Sequence, residues 1–220
     1  MSTSTSAEPL DLGELRDAHV ALVGYSGRDH AAVEAHIEEL ARLGVPRPPS
    51  VPAVWQVPAA LLTHGPQVTV SSRDTSGEVE PVIVLRDGSA WLTVGSDHTD
   101  RGLERSSMEQ AKAACAKVVA TDSWPLPDDG SWDRLRVRSS ILVDGEWRPY
   151  QDAALSQMLP PSWFLDRFGG DGDAVVFCGT VPVLDQMVLD ARAFEAQLED
   201  PLTRRTLSLT YQVVVEPGPT

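Results

Sequence analysis

Glu78 and Glu80 stand one residue apart in the stretch Gly-Glu-Val-Glu-Pro, at the head of a run that reads as a β-strand. Residues i and i+2 of a strand share a face and lie about 6.5–7 Å apart. Two bare carboxylates so placed repel, and the proton affinity of one must rise. Set on either side of a divalent cation, they become a chelating pair. Spacing alone also allows a plainer arrangement, with both acids solvated on the polar side of an amphipathic strand. A third acid changes the balance. Asp97 closes the next strand, SAWLTVGSD, and a hairpin would set it at the same end as Glu80. Asp100 competes for that place, its other role being the N-cap of the following helix. No His or Cys set at zinc spacing accompanies these acids, so oxygen-only ligation points to Mg2+ or Mn2+, with Ca2+ less well suited.

Other residue types carry further chemistry. His36 and Glu39, at i and i+3 of one helix, can touch, so that the acid holds the imidazole tautomer and the imidazole serves as a general base towards water. His30 and Glu34, at i and i+4, are a rival pair in that helix. Arg101 either clamps a substrate carboxylate with two hydrogen bonds or pairs with Glu104 one turn on. Lys112 either adds a point charge or is an ordinary helix lysine. Cys178 has no basic neighbour in sequence and reads as a buried thiol.

These residues need elements to hold them. AHVALVGYS reads as a buried strand, and RDHAAVEAHIEELARLG as a helix stopped by Gly44. The proline-laced VPRPPSVPAVWQVP is neither helix nor central strand and is expected as a fixed extended wrap. PQVTV, EVEPVIVLRD and SAWLTVGSD read as strands, the last two joined by an RDGS turn. DRGLERSSMEQAKAACAK reads as helix, DRLRVRSSILVDGEWRPY as a hairpin around Asp144-Gly145, PPSWFLDRF as a short helix, and DAVVFCGT, RAFEAQLED and RRTLSLTYQVVVE as strands. Strands outnumber helices in mixed order, which predicts a β-rich α+β domain and not a doubly wound sheet.

The totals bound the function. Eighteen basic against 32 acidic residues give a net charge of −14, and so acidic a surface repels phosphate backbones and anionic lipid. No nucleic-acid or membrane partner is expected. Two cysteines without zinc spacing fit free thiols in a reducing cytoplasm. The opening MSTSTSAEP lacks the pattern of a secretion signal. Residues 1–12 are expected as a disordered tail and 13–220 as a single domain.

GEVEPVIVL, VGSDHTDRGLE, VDGEWRPYQDA, GDAVVFCGTVP and FEAQLEDP follow one another in an order that resembles the fumarylacetoacetate hydrolase family, and more narrowly a bacterial branch of it. The upstream helix and proline wrap resemble that family's opening segment, with its His-x-x-Glu pair. The resemblance implies that Glu78, Glu80 and Asp97 are metal ligands, and that Arg101 is the arginine of the family's Asn-Asp-x-Ser-Ala-Arg-Asp stretch. It makes Lys112 the substrate-contacting lysine, Gln151 and Thr180 polar anchors for substrate, and His36 with Glu39 the base. Ser96 departs from the family's Asn, Asp97 follows Glu80 by only 17 residues, and QAKAACAKVV lacks a Lys-x-x-Asp pattern, so that Lys117 can stand in for Lys112.

The fold so implied is α+β, a β-rich mixed-sheet roll of the fumarylacetoacetate hydrolase C-terminal-domain type with a few short helices. The activity implied is Mg2+- or Mn2+-dependent hydrolysis or decarboxylation, breaking a C–C bond of a small 2-oxo or 1,3-dicarbonyl acid through a metal-stabilised enolate. Hydration or tautomerisation of an unsaturated 2-oxo acid is the alternative at the same site. A non-catalytic relative that binds a small acid or a protein is the other. The resemblance also implies a homodimer.

Overall fold

A computed structural model of the chain describes residues 7–216 apart from 43 and 171. The strands are β1 (Glu8–Pro9), β2 (His19–Gly24), β3 (Ala53–Val57), β4 (Leu62–Thr63), β5 (Gln67–Val70), β6 (Thr75–Ser76), β7 (Val79–Arg86), β8 (Ser89–Asp97), β9 (Thr99–Asp100), β10 (Lys117–Val119), β11 (Asp122–Pro125), β12 (Arg136–Val143), β13 (Glu146–Ala154), β14 (Ala174–Phe177), β15 (Ala193–Asp200) and β16 (Arg205–Val215). The α-helices are α1 (His30–Arg42), α2 (Arg101–Glu104), α3 (Met108–Ala113), α4 (Asp129–Trp132) and α5 (Pro161–Phe168). One sheet runs β1-β11-β8-β7-β14-β2-β3, with β10 attached to β8 and β4; the other runs β13-β12-β15-β16-β5. Parallel pairs such as β14 with β2 and β16 with β5 sit among antiparallel ones, as expected for a strand-rich mixed-sheet roll with short helices.

The β7–β8 hairpin is the axis of the site. The sequence VEPVIVL of β7 is apolar at nearly every position because the strand is buried throughout, between β8 and β14. Asp87 and Gly88 both take positive φ, 51° and 73°, the two-residue turn whose twist matches the flanking strands. The register that follows places Val79 opposite Ser96 and Glu80 opposite Gly95. Ile83, Leu92 and Val94 join Phe194, Leu207 and Tyr211 of the second sheet in one core, while Val82 and Val84 face Val20, Leu22 and Phe177 in another. The site thus sits where both sheets are packed.

Two expectations need correction, and the proline wrap agrees with its reading as neither helix nor central strand. The tail is shorter than residues 1–12: Glu8–Pro9 pairs with Asp122–Ser123 and Leu10 is buried, because this short apolar segment finds a free strand edge; residues 1–6 lie outside the described residues. The continuous helix expected over 100–117 is two. Ser107 caps the second by accepting from the Gln110 amide, the Ser106 hydroxyl donates to Leu103 O at the end of the first, and Lys117 lies in a strand. The proline wrap ends in β3, an edge strand beside β2, which its prolines allow.

Candidate metal centre

Glu80 comes from β7, Glu78 from the residues just before it, and Asp97 from the end of β8, where its amide donates to Glu78 O (3.1 Å). One carboxylate oxygen of each lies within 4.8 Å of the others. Asp97 is 0% and Glu80 3% exposed, while Glu78 keeps part of its surface open. Burial, and then the Asp97 charge, push the Glu80 carboxyl well above the usual range. Burial also works against ionised Asp97, but Lys112 and Lys117 outweigh it and hold that carboxyl low. Lys112 Nζ donates to Asp97 Oδ2, and Lys117 Nζ lies 2.7 Å from Asp97 Oδ1 while donating to His98 O (2.7 Å). Both lysines of the open choice contact Asp97. Lys117 reaches Asp97 because β10 pairs directly across from it. Three crowded oxygen donors, one of them driven towards protonation, fit a hard divalent cation.

Arg101 is committed inside the protein. Its Nε donates to Ser76 Oγ (2.8 Å), its Nη1 lies 3.1 Å from both oxygens of Glu104, and its Nη2 lies 2.9 Å from Glu78 Oε1. Burial lowers the guanidinium's proton affinity, but Glu78 and Glu104 more than reverse that, so it stays charged. The arginine therefore positions Glu78 through an ion pair, while its Nη2 makes no hydrogen bond. Asp100 takes the capping role, accepting from the Leu103 amide (3.0 Å), and is not the third ligand.

Gln151 and Thr180 are likewise turned inward. Gln151 Oε1 accepts from the Val79 amide (3.0 Å) and Ser139 Oγ (2.9 Å), and its Nε2 donates to Thr180 Oγ1 (2.8 Å) and Val181 O (2.7 Å). Thr180 Oγ1 donates to Val79 O (2.9 Å). Both hold the residue between the two glutamates, which is a positioning role, and every polar atom of Gln151 is satisfied without a ligand. The Gly179 amide donates to Glu80 Oε2 (2.8 Å) from the same turn.

Sequence spacing gave no hint of Tyr211. Its hydroxyl lies 2.9 Å from Ser96 Oγ and 2.9 Å from His98 Nδ1, clasping the residues on both sides of Asp97. Burial, then Lys117 and Arg101, push His98 down to about 3, so it is neutral. A Cβ at Gly77 would meet the Tyr211 hydroxyl at 2.5 Å, so the approach to the Glu-x-Glu strand admits only glycine. Tyr211→Phe leaves two buried groups without their shared partner, at a cost of about 1–3 kcal/mol. The expected result is a lower urea midpoint together with weaker Mn2+ binding in calorimetry, where a phenylalanine with no role beyond packing would leave both unchanged.

The proposed base sits apart from the buried cluster. His36 Nδ1 is 3.8 Å from Glu39 Oε2, and both side chains are mostly exposed on α1, whose one buried residue is Ile37. The rival Glu34 pairs instead with Arg47, which leaves His30 without it. The His36 ring lies 6.4 Å from that of Tyr25, Tyr25 lies 6.3 Å from Trp55, and Lys112 Nζ stands 5.5 Å over Trp55. Cys115 and Cys178 are free and buried; burial pushes both thiols up, Cys115 to about 11, so neither is poised as a nucleophile. Among the described residues no helix is long and apolar enough to cross a membrane.

Solved structures resemble this chain over most of its length. A structure of Cg1458 with inhibitor is 18% identical, with 90% of this chain and 77% of that one covered, at a TM-score of 0.63. A 2-keto-3-deoxy-D-arabinonate dehydratase complexed with magnesium and 2,5-dioxopentanoate is 16% identical over 90% and 73%, at 0.63. A maleylpyruvate hydrolase from Sphingobium sp. SYK-6 is 14% identical over 90% and 71%, at 0.53. Likeness at these identities establishes the fold, that of the fumarylacetoacetate hydrolase C-terminal domain, and not the reaction. No curated protein matches the chain. A family described as protein of unknown function, DUF2848, matches residues 23–211, and with most of both sheets and all three clustered carboxylates inside that span, the chain belongs to this family.

Proposed function

We propose that this chain is a divalent-metal-dependent enzyme of small oxo acids, in a bacterial branch of the fumarylacetoacetate hydrolase superfamily. Glu78, Glu80 and Asp97 hold Mg2+, with Mn2+ as the substitute, and the reaction breaks a C–C bond of a 2-oxo or 1,3-dicarbonyl acid by hydrolysis or decarboxylation. The observation that carries this reading is the convergence of the three carboxylates within 4.8 Å, with Glu80 forced towards protonation. A fold shared with a magnesium-bound dehydratase and with a hydrolase supports it.

Bound there, Mg2+ supplies Lewis-acid stabilisation of the negative charge that develops on the substrate's keto oxygen. The chain's own residues prepare the place. Lys112 and Lys117 keep Asp97 ionised, Arg101 fixes Glu78, and Gln151, Thr180 and Gly179 set the strand that carries the glutamates. His36, steadied by Glu39, takes the proton of the attacking water in the hydrolytic reaction. Water's oxygen joins the acyl carbon, and the electron pair of the broken C–C bond passes to the 2-oxo acid fragment, which takes up a proton.

The test is turnover of acylpyruvates and oxaloacetate by the full chain with Mg2+, with Mn2+ and with chelator. Activity should vanish in chelator; full activity there would overturn the assignment. His36→Ala should lower hydrolysis by roughly 10²–10⁴-fold, the range of general-base contributions, and spare decarboxylation or tautomerisation, which need no activated water. Calorimetry with Mg2+ that finds no site would leave only a non-catalytic relative. A homodimer belongs to the same proposal and is read by sedimentation.

A further inference from the structure

We infer that the site selects 2-oxo acids with one carboxylate and an apolar tail, and that Trp55 and Tyr25 read that tail. This rests on the metal-centre reading above and deepens it.

The first ground is charge. Glu78 and Glu104 pair with Arg101, Asp97 pairs with Lys112 and Lys117, and Glu80 lies within 4.8 Å of Glu78 and Asp97. With Glu80 ionised beside a divalent ion, four carboxylates against three cations and the ion leave one positive charge in excess. One substrate carboxylate matches it. A second carboxylate would need a cation of its own, and the arginines flanking the aromatic rings along the chain are engaged. Arg28 pairs with Asp133 and donates to Met158 O, and Arg47 pairs with Glu34. A carboxylate desolvated against rings without a partner is strongly disfavoured.

The second ground is shape. Trp55 and Tyr25 are part-buried rings 6.3 Å apart, and Trp55 borders the cluster through Lys112, whose ammonium also touches Asp97. Tyr25 holds φ at 58° directly after β2, a left-handed conformation that is uncommon for a bulky residue. Such an outlier persists where surrounding structure demands it, and here it turns the ring towards Trp55. Gly24 makes room for the arrangement, since a Cβ there would lie 2.6 Å from the Trp55 ring. Two aromatic rings therefore adjoin the cluster through Lys112.

The experiment titrates the Mn2+-loaded full chain by calorimetry with three acids. Oxalate has the chelating head and no tail. 4-Methyl-2-oxopentanoate and 2-oxoglutarate share a five-carbon chain and the 2-oxo head, and differ in an isopropyl group against a carboxymethyl group. The branched acid should bind at least about tenfold more tightly than 2-oxoglutarate, in line with the selectivity that apolar contact and an unpaired charge produce. Trp55→Ala should reduce that ratio to about threefold or less while leaving oxalate affinity unchanged, the latter showing that the fold and cluster are intact. Equal or tighter binding of 2-oxoglutarate, or an unchanged ratio in Trp55→Ala, overturns the inference and leaves the metal centre standing. Failure of oxalate to bind in the presence of Mn2+ overturns the metal-centre reading, and this inference with it.

Discussion

Asp97→Asn is expected to undermine the folded protein itself as well as any chemistry at the site. Asp97 is wholly buried and its two oxygens receive Lys112 and Lys117, which are themselves buried. Asparagine keeps the shape, removes the negative charge, and presents amide hydrogens where ammonium groups already point. Removing one partner of a buried ionic cluster leaves uncompensated charge and costs about 3–5 kcal/mol. Against a total stability of about 5–15 kcal/mol, that is a large share. The same reasoning gives a pH dependence. The Asp97 carboxyl is held low in the folded state, so its contribution is present above the ordinary aspartate value of about 3.9 and is lost only as pH falls towards its depressed folded value. Urea unfolding read by tryptophan fluorescence should show a marked fall in midpoint for Asp97→Asn, partly restored when Lys112→Met is added. A midpoint equal to that of the parent would contradict the charge cluster described here.

Glu80→Gln should do the reverse. Its carboxyl is raised in the folded state, so the fold favours its protonated form, and stability falls as pH climbs from the ordinary glutamate value of about 4.3 through the raised one. A glutamine, always neutral, escapes that loss. The metal-free variant should match or exceed the parent in stability, with the margin widening as pH rises. Metal binding should fail. Loss of an outer-shell partner costs roughly 10–100-fold in metal affinity, and loss of a ligand should cost more. In the parent, Mg2+ must displace the Glu80 proton, so affinity rises with pH by at most about tenfold per unit until Glu80 is ionised. Calorimetry in two buffers of different ionisation enthalpy should therefore count about one proton released per ion. Equal heats in both buffers would show that Glu80 is already ionised or takes no part.

Much of this site was legible from the chain. Strand alternation and the Asp-Gly turns placed Glu78, Glu80 and Asp97 at one end of a hairpin because period and turn chemistry are local. What stayed hidden was non-local. Arg101 and Gln151 have the residue types of substrate binders, and only packing shows that Arg101 pairs with Glu78 and Glu104 and that Gln151 accepts from Val79 and Ser139 and donates to Thr180 and Val181. Tyr211 lies more than a hundred residues from Ser96 and His98, and nothing in its own strand marks it. The stretch after Asp100 misled because its helical composition is continuous, while the Ser106-Ser107 pair supplies side-chain hydrogen bonds that end one helix and begin another.

Helix α1 carries His36 and Glu39 and is pinned by one buried side chain, Ile37. Burying an isoleucine stabilises by about 1.5–3 kcal/mol, a factor of roughly 10 to 150. Burial therefore ties this segment less firmly than β7, and its amides are expected to exchange with solvent before those of β7. The proposed base thus rides on a mostly exposed helix, while the three carboxylates sit at the packed end of a hairpin, so that the two parts of the candidate site are held by different elements of the fold.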